Sequence, residues 1–431
     1  MQETLVRGLT RRDFAAVVIN TIIGAGIFGL PAAVFAKIGT YSLLAFVACA
    51  VVVGLFVLCY AEVGSRFSKS GGPYLYAREA FGPFAGFEVG WLYWIVRVTT
   101  IAANTNLFVT YLGTFFPASE TIRILTIVAI IAFITVINLA GIKESATVTN
   151  VMTVGKLVPL FAVMLIGVFF IDPGKFTFET LPGYSAFSGS VLLLIYAFVG
   201  FESAVVVAGE TKDPQRSVPW GLFAALAVVA ILYIGIQLVA IGTVPDLANS
   251  QRPIADAAAA FAGPIGAVLV TIGALVSILG NLNVGHLSAT RLIYAMSEQG
   301  DLPRFLGRVS ARARTPFTAI LLTSAVVLII TLNTTFISAL AISVVTRLLV
   351  YATTCIALPV FRKRKDAPAE GFRTPAASLV VSLSLIVIVW LLTQADFAKQ
   401  GIPILSAAFV GAVIFAIFKF TQGRRRGNNE T

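Results

Sequence analysis

The chain has 431 residues, of which 58% are hydrophobic and 12% charged, with a mean hydropathy of +0.92 and a formal net charge of +11. This composition is too apolar for a soluble domain, which excludes a water-soluble enzyme, and it marks an integral membrane protein. The alternating faces of barrel strands are missing, and apolar runs of about 20 residues recur, the length a helix needs to cross hydrocarbon.

In chain order, apolar spans are expected near residues 14–36, 41–63, 84–113, 122–141, 148–171, 187–208, 218–243, 264–290, 316–332, 335–360, 375–393 and 402–420. An even number of spans, twelve, returns both termini to one side. Pooling alternate loops places 23 of the 31 Lys and Arg with the termini and 5 on the opposite set. The positive-inside rule then puts both ends in the cytoplasm and the protein in the cytoplasmic membrane. The same split accounts for the net charge without nucleic acid, and the basic tail "GRRRGNNET" reads as a topology anchor. Three Arg and an Asp precede a first span too long for a signal peptide, so no cleaved leader is expected.

The first span contains "TIIGAGIFGLPA", with Gly24, Gly26 and Gly29 in its middle. Small residues ease helix packing in membranes, but glycines also let a backbone unwind and a ligand approach. Unwinding in hydrocarbon strands N–H and C=O groups, each costing several kcal/mol unless protein, water or ligand meets them. The sixth span holds a second interruption, "LLIYAFVGFESA", with Gly200 and the acidic Glu202. Interrupted spans at matching positions, five helices apart, are the pattern of an inverted-repeat transporter whose site lies between the breaks. Cys49, Cys59 and Cys355 fall within spans without metal-ligand spacing, and there is no phosphate loop and a single histidine. No enzyme activity, cofactor or metal is therefore expected. A channel would show a continuous polar face along several spans, and a receptor a soluble signalling domain; neither is visible.

"GAGIFGLPA", "YAEVGSRFSKSGGPYLYAREAFGPFAGFEVGWLYW", "NLAGIKESATVTNVMTVGKLVPL", "YAFVGFESAVVVAGETKDPQRSVP" and "YAMSEQGDLPRFLGRVSARARTP" resemble the amino acid permeases of the amino acid–polyamine–organocation (APC) superfamily. The resemblance implies an all-α membrane protein of LeuT-type fold, a 5+5 inverted repeat with discontinuous helices 1 and 6 and twelve transmembrane helices. Residues 1–360 would form the transport core and 361–431 a linker, helices 11 and 12 and the basic cytoplasmic tail. It implies a small-molecule amino acid substrate moved by alternating access, with a proton as coupling ion or by exchange.

The site residues it implies begin at the helix 1 break. The N–H groups of Ala25, Gly26 and Ile27, beside Gly24, suit a carboxylate at a half-helix N-terminus. The carbonyls of Ile23, Tyr196, Ala197 and Val199 suit the ammonium. Selectivity would come from Ile101, Asn104, Tyr196, Phe201, Gly285 and Ser343, a mostly apolar set that favours a neutral amino acid; a cationic amino acid or polyamine is the alternative. Lys156 stands where relatives place a lysine in the space of a sodium ion, either gaining and losing a proton or acting as a fixed strut. Helix 8 lacks the paired hydroxyls of sodium-coupled relatives. Glu202 either joins the proton path or bonds exposed backbone. Arg97 and Arg347 are intramembrane cations that would pair with Glu88 or Glu202, line the cytoplasmic vestibule or, on reaching the pocket, favour acidic substrates. His286 reads as a packed histidine or a titrating one.

Overall fold

A computed structural model describes residues 10–67, 72–116, 119–140, 145–178, 180–206, 211–310, 313, 315–364, 366 and 370–427. Among them there is no β-strand, and α-helix carries almost the whole chain. Parts of four motifs, 68–71, 141–144, 207–210 and 311, 312 and 314, fall outside the described residues, as do Arg7, Lys69, Lys143, Arg312, Arg314 and Lys365 from the charge split.

The first apolar stretch forms two helices, α1 (Arg11–Ile22) and α2 (Gly26–Ile38), followed by α3 (Ser42–Ser65), a short α4 (Gly72–Phe81) and α5 (Pro83–Leu112). Then come α6 (Glu120–Ala140), α7 (Ser145–Gly167), and another split pair, α8 (Tyr184–Phe198) and α9 (Phe201–Val206). The remainder comprises α10 (Pro214–Thr243), α11 (Pro253–Glu298), α12 (Phe317–Leu332), α13 (Phe336–Lys363), α14 (Ala377–Leu392) and α15 (Ile402–Gly427). Helix thus occupies every apolar stretch read from the sequence. Among the described residues, seven helical segments are long and apolar enough to cross a membrane by length and composition, and three shorter apolar helices accompany them. Helices α14 and α15 turn large apolar side chains outward, with Ile386 63% and Phe409 70% exposed, as suits contact with lipid.

Local chemistry explains most helix starts. Thr10 and Asp13 close a capping box on α1, Asp213 caps α10 ahead of Pro214, and Thr335 with Ser338 caps α13. Helix α2 is different: its N-cap is Ala25, with no side-chain cap. The eighth expected span begins within a longer element, because α11 starts at Pro253 and kinks at Gly263 (φ 62°), immediately before Pro264. A glycine in the left-handed region followed by proline is a sufficient cause for that bend.

The segment after α13, expected to be a linker, is strapped to α3. Glu62, buried near the end of α3, accepts two bonds from Arg362 (2.8 and 2.6 Å) and one from the Thr374 N–H (2.8 Å). Arg66 reaches Glu370 at 3.0 Å, and Ser65 Oγ accepts from the Gly371 N–H. These partners sit about 300 residues apart in sequence and share no periodic signal.

Candidate functional site

The two interruptions interlock. A Cβ on Gly26, at the head of α2, would lie 2.8 Å from the Ala197 Cα on α8. Gly200, between α8 and α9, has φ 122°, and a Cβ there would overlap the Thr21 carbonyl oxygen and lie 2.7 Å from its carbon. Both contacts are with backbone, so neither neighbour can swing away. Only glycine permits the half-helices α2 and α8, and the α1 end with the second break, to approach this closely.

Between the breaks lies a cavity of about 80 Å³, bounded by α5, α7, α11 and α13. At roughly 10–15 Å³ per water-sized sphere it has room for five to eight such groups, the scale of a small amino acid. Helix α5 lends one face, Arg97, Thr100, Ile101 and Asn104, at helical spacing. Helix α11 lends Ser277, Asn281, Gly285 and Ser288 along a second stripe. Asn281 joins the sides, accepting from Asn104 Nδ2 at 2.9 Å and standing next to Gly24. Tyr196 donates to Asn104 Oδ1 at 2.5 Å.

Gly24, Ala25, Gly26, Ile101, Asn104, Lys156, Tyr196, Val199 and Gly285 all line this cavity. The other expected site residues stand behind it. Ile27 and Ala197 are buried neighbours of lining residues. Phe201 packs against Tyr60 and Tyr351, with ring centroids 5.3 and 5.4 Å away. Ser343 is hydrogen-bonded to Thr100 Oγ1 at 2.8 Å and donates to the Val96 carbonyl at 3.3 Å. The Ile23 carbonyl, expected to receive a substrate ammonium, already accepts from Lys156 Nζ at 2.7 Å, and Asn20 O accepts from the same group at 2.6 Å. The lysine thus binds the C-terminal end of α1, where the helix dipole is negative.

The lining is apolar over most of its surface, as expected, with more polar side chains set into it than the expected set named. Asn20, Thr21, Thr100, Ser203, Ser277, Asn281, Asn283 and Ser288 line the cavity together with Arg97 and Arg347. The stripe on α11 was legible as polar residues three or four apart in an apolar helix, a pattern that carries across to one face. Glu202 lies behind Arg347, which it binds at 2.5 Å; it also accepts from Tyr351 Oη (2.8 Å) and the Gly200 N–H (2.9 Å). It therefore both pairs a buried arginine and ties off backbone freed by the second break. Arg97 is 3.9 Å from the same carboxylate and donates to Tyr93 Oη and Ser203 Oγ. His286 is hydrogen-bonded to Ser324 at 2.8 Å.

Towards the C-terminal end of α5 a vestibule of about 1070 Å³ opens, lined by Asn106, Arg123, Arg252, Asn333 and Phe336 among others. Phe336 meets Tyr196 edge-on at 6.2 Å between ring centroids. Since Tyr196 lines the cavity and Phe336 the vestibule, this contact joins the two linings. At the opposite end Asp301, fully buried, holds Arg78 of α4 at 2.5 Å, the Tyr74 hydroxyl at 2.8 Å and Lys419 of α15 at 3.5 Å. Burial and the Asp301 carboxylate push the Tyr74 phenol well above its ordinary range, so it remains a donor.

Comparison with known proteins gives a family model described as amino acid permease, matching residues 9–417. The serine/threonine exchanger SteT of Bacillus subtilis is 30% identical over 370 residues, 83% of this chain and 84% of that protein. The methylthioribose transporter of the same organism is 26% identical over 96% of this chain and 94% of its own. The branched-chain amino acid permease BcaP, also from Bacillus subtilis, is 23% identical over 97% of this chain and 94% of its own. With a family model spanning nearly its whole length and a relative of this similarity covering most of both sequences, the chain belongs to the amino acid permease family.

Proposed function

We propose that the chain is a secondary active transporter that carries an α-amino acid across the cytoplasmic membrane by alternating access, independent of sodium and coupled to protons through Lys156. The observation that carries this reading is the cavity where two broken helices nest, with the uncapped N-terminus of α2 at its wall. Backbone N–H groups at such an end suit a carboxylate, and the cavity has the size of a small amino acid. The Lys156 ammonium on the Asn20 and Ile23 carbonyls supports sodium independence, because the side chain already fills that position. The proposal includes twelve transmembrane helices, a 5+5 inverted repeat relating α1 and α2 to α8 and α9, cytoplasmic termini, a transport core over 1–360 and an accessory segment over 361–431.

Exchange is the second reading, favoured by the similarity to a protein named as a serine/threonine exchanger. A polyamine or cationic substrate is disfavoured by Arg97, Lys156 and Arg347 around one cavity. The test is uptake of the twenty amino acids into proteoliposomes, with and without an imposed pH gradient and with and without internal amino acid. Uptake driven by the gradient into empty vesicles supports coupling, uptake only into preloaded vesicles supports exchange, and no uptake of any amino acid refutes the proposal.

A further inference from the structure

The charge around the cavity does not balance. Three cations line it, Arg97, Lys156 and Arg347, each with at most 7% of its surface exposed. Among the described residues, the carboxylate that faces this group is Glu202, itself fully buried and occupied by Arg347, Tyr351 and the Gly200 N–H. Arg97, at 3.9 Å, is left with hydroxyl partners, and the Nε atoms of both arginines are buried without a hydrogen bond among the described residues. Lys156 spends its donors on the carbonyls of Asn20 and Ile23, which carry no net charge. An excess of buried positive charge is costly unless an anion completes the site.

A zwitterion brings no net charge, so an ordinary neutral amino acid leaves the imbalance in place. We infer that the substrate is an acidic amino acid, whose side-chain carboxylate is received by Arg97 with Arg347 beside it. The geometry suits this. Asn104, next to Asn281 and Gly24, marks the level of the helix 1 break; Arg97 lies seven residues away on the same face of α5, roughly 10 Å along the helix axis. The Arg97 side chain turns towards Tyr93 and Ser203, at the far end of the cavity from that break, and still lines it. An α-carboxylate at the α2 N-terminus and a second carboxylate towards Arg97 thus occupy opposite ends of one cavity. Arg347 is braced for the task, donating to Thr100 Oγ1 at 3.1 Å while paired with Glu202.

This inference rests on the transporter reading, and the experiment separates the two. The purified full-length chain is assayed by thermal unfolding and by competition for uptake in proteoliposomes, using L-aspartate against L-asparagine and L-glutamate against L-glutamine. Each pair differs in charge with nearly constant shape. At least one acid is expected to bind about tenfold or more tightly than its amide, the scale of one charge-assisted hydrogen bond. Amides that bind as tightly as both acids, or more tightly, overturn the acidic assignment and leave the transporter reading standing. If no amino acid shifts the midpoint or enters the vesicles, both fall. In Arg97→Gln the acid-to-amide preference is expected to drop about tenfold, whereas Arg97→Lys retains its direction. An unchanged preference in Arg97→Gln overturns the role of this arginine, and the wild-type pairs decide the substrate class even if that variant does not fold.

Discussion

Replacing Gly200 with alanine tests whether the two breaks must nest for the transporter to work. In the native arrangement the residue has φ 122°, and the added methyl would overlap the Thr21 carbonyl. The left-handed conformation costs a residue with a Cβ about 1–2 kcal/mol, and forcing a methyl group into a packed site costs about 1–3 kcal/mol. Together these give about 2–5 kcal/mol against the interlocked state. At about 1.4 kcal/mol per tenfold, even the lower bound reduces its population about 30-fold. The control is on the adjoining helix: Gly189→Ala meets nothing within 4 Å and removes a flexible residue from the interior of α8, a gain of about 0.5–1 kcal/mol. Both variants are purified, compared by thermal unfolding, and reconstituted for amino acid uptake. Gly200→Ala is expected to lose nearly all uptake and to unfold at a lower temperature, while Gly189→Ala keeps both. Wild-type uptake and stability in Gly200→Ala would refute the nesting argument.

Lys156→Met removes the donor to two carbonyls at the end of α1; uptake by this variant is expected to lose its pH dependence, and an unaltered pH profile would make the lysine a strut. For the Glu202–Arg347 pair, Glu202→Gln and Arg347→Met are each expected to destabilise by about 3–5 kcal/mol. The double variant should cost less than the sum, as read from unfolding midpoints, and strict additivity would deny the pairing. Asp301→Asn weakens the attachment of α4 and α15 and is expected to cost about 1–3 kcal/mol, measured as a lower midpoint together with faster leak of preloaded amino acid.

How much of this was legible in the sequence depended on range. The two breaks could be read locally because Gly24, Gly26 and Gly200 are breakers within apolar stretches that otherwise form helix, and the structure separates α1 from α2 and α8 from α9 at those glycines. Lys156 stood out as a charge in a span, and it does line the cavity. The polar stripe on α11 was present in the spacing of Ser277, Asn281, Gly285 and Ser288, yet only Gly285 was singled out. What no local pattern held was the register between distant helices. Glu202 meets Arg347 across 145 residues, and the strap from Glu62 to Thr374 crosses 312. The arginines were visible as costly charges, but whether they faced the cavity was a matter of helix rotation, fixed by packing rather than by composition.

Phe336 and Arg347 belong to one uninterrupted helix, α13. Eleven residues separate them, about 16 Å along a stiff rod. On the proposed reading, traction on the mid-helix guanidinium is delivered along α13 to the Phe336 ring, without any relay through side chains. Under that proposal, cargo recognition and the Tyr196–Phe336 contact become two readings of a single lever, so a softening glycine placed midway would let the load be gripped while the vestibule stayed open.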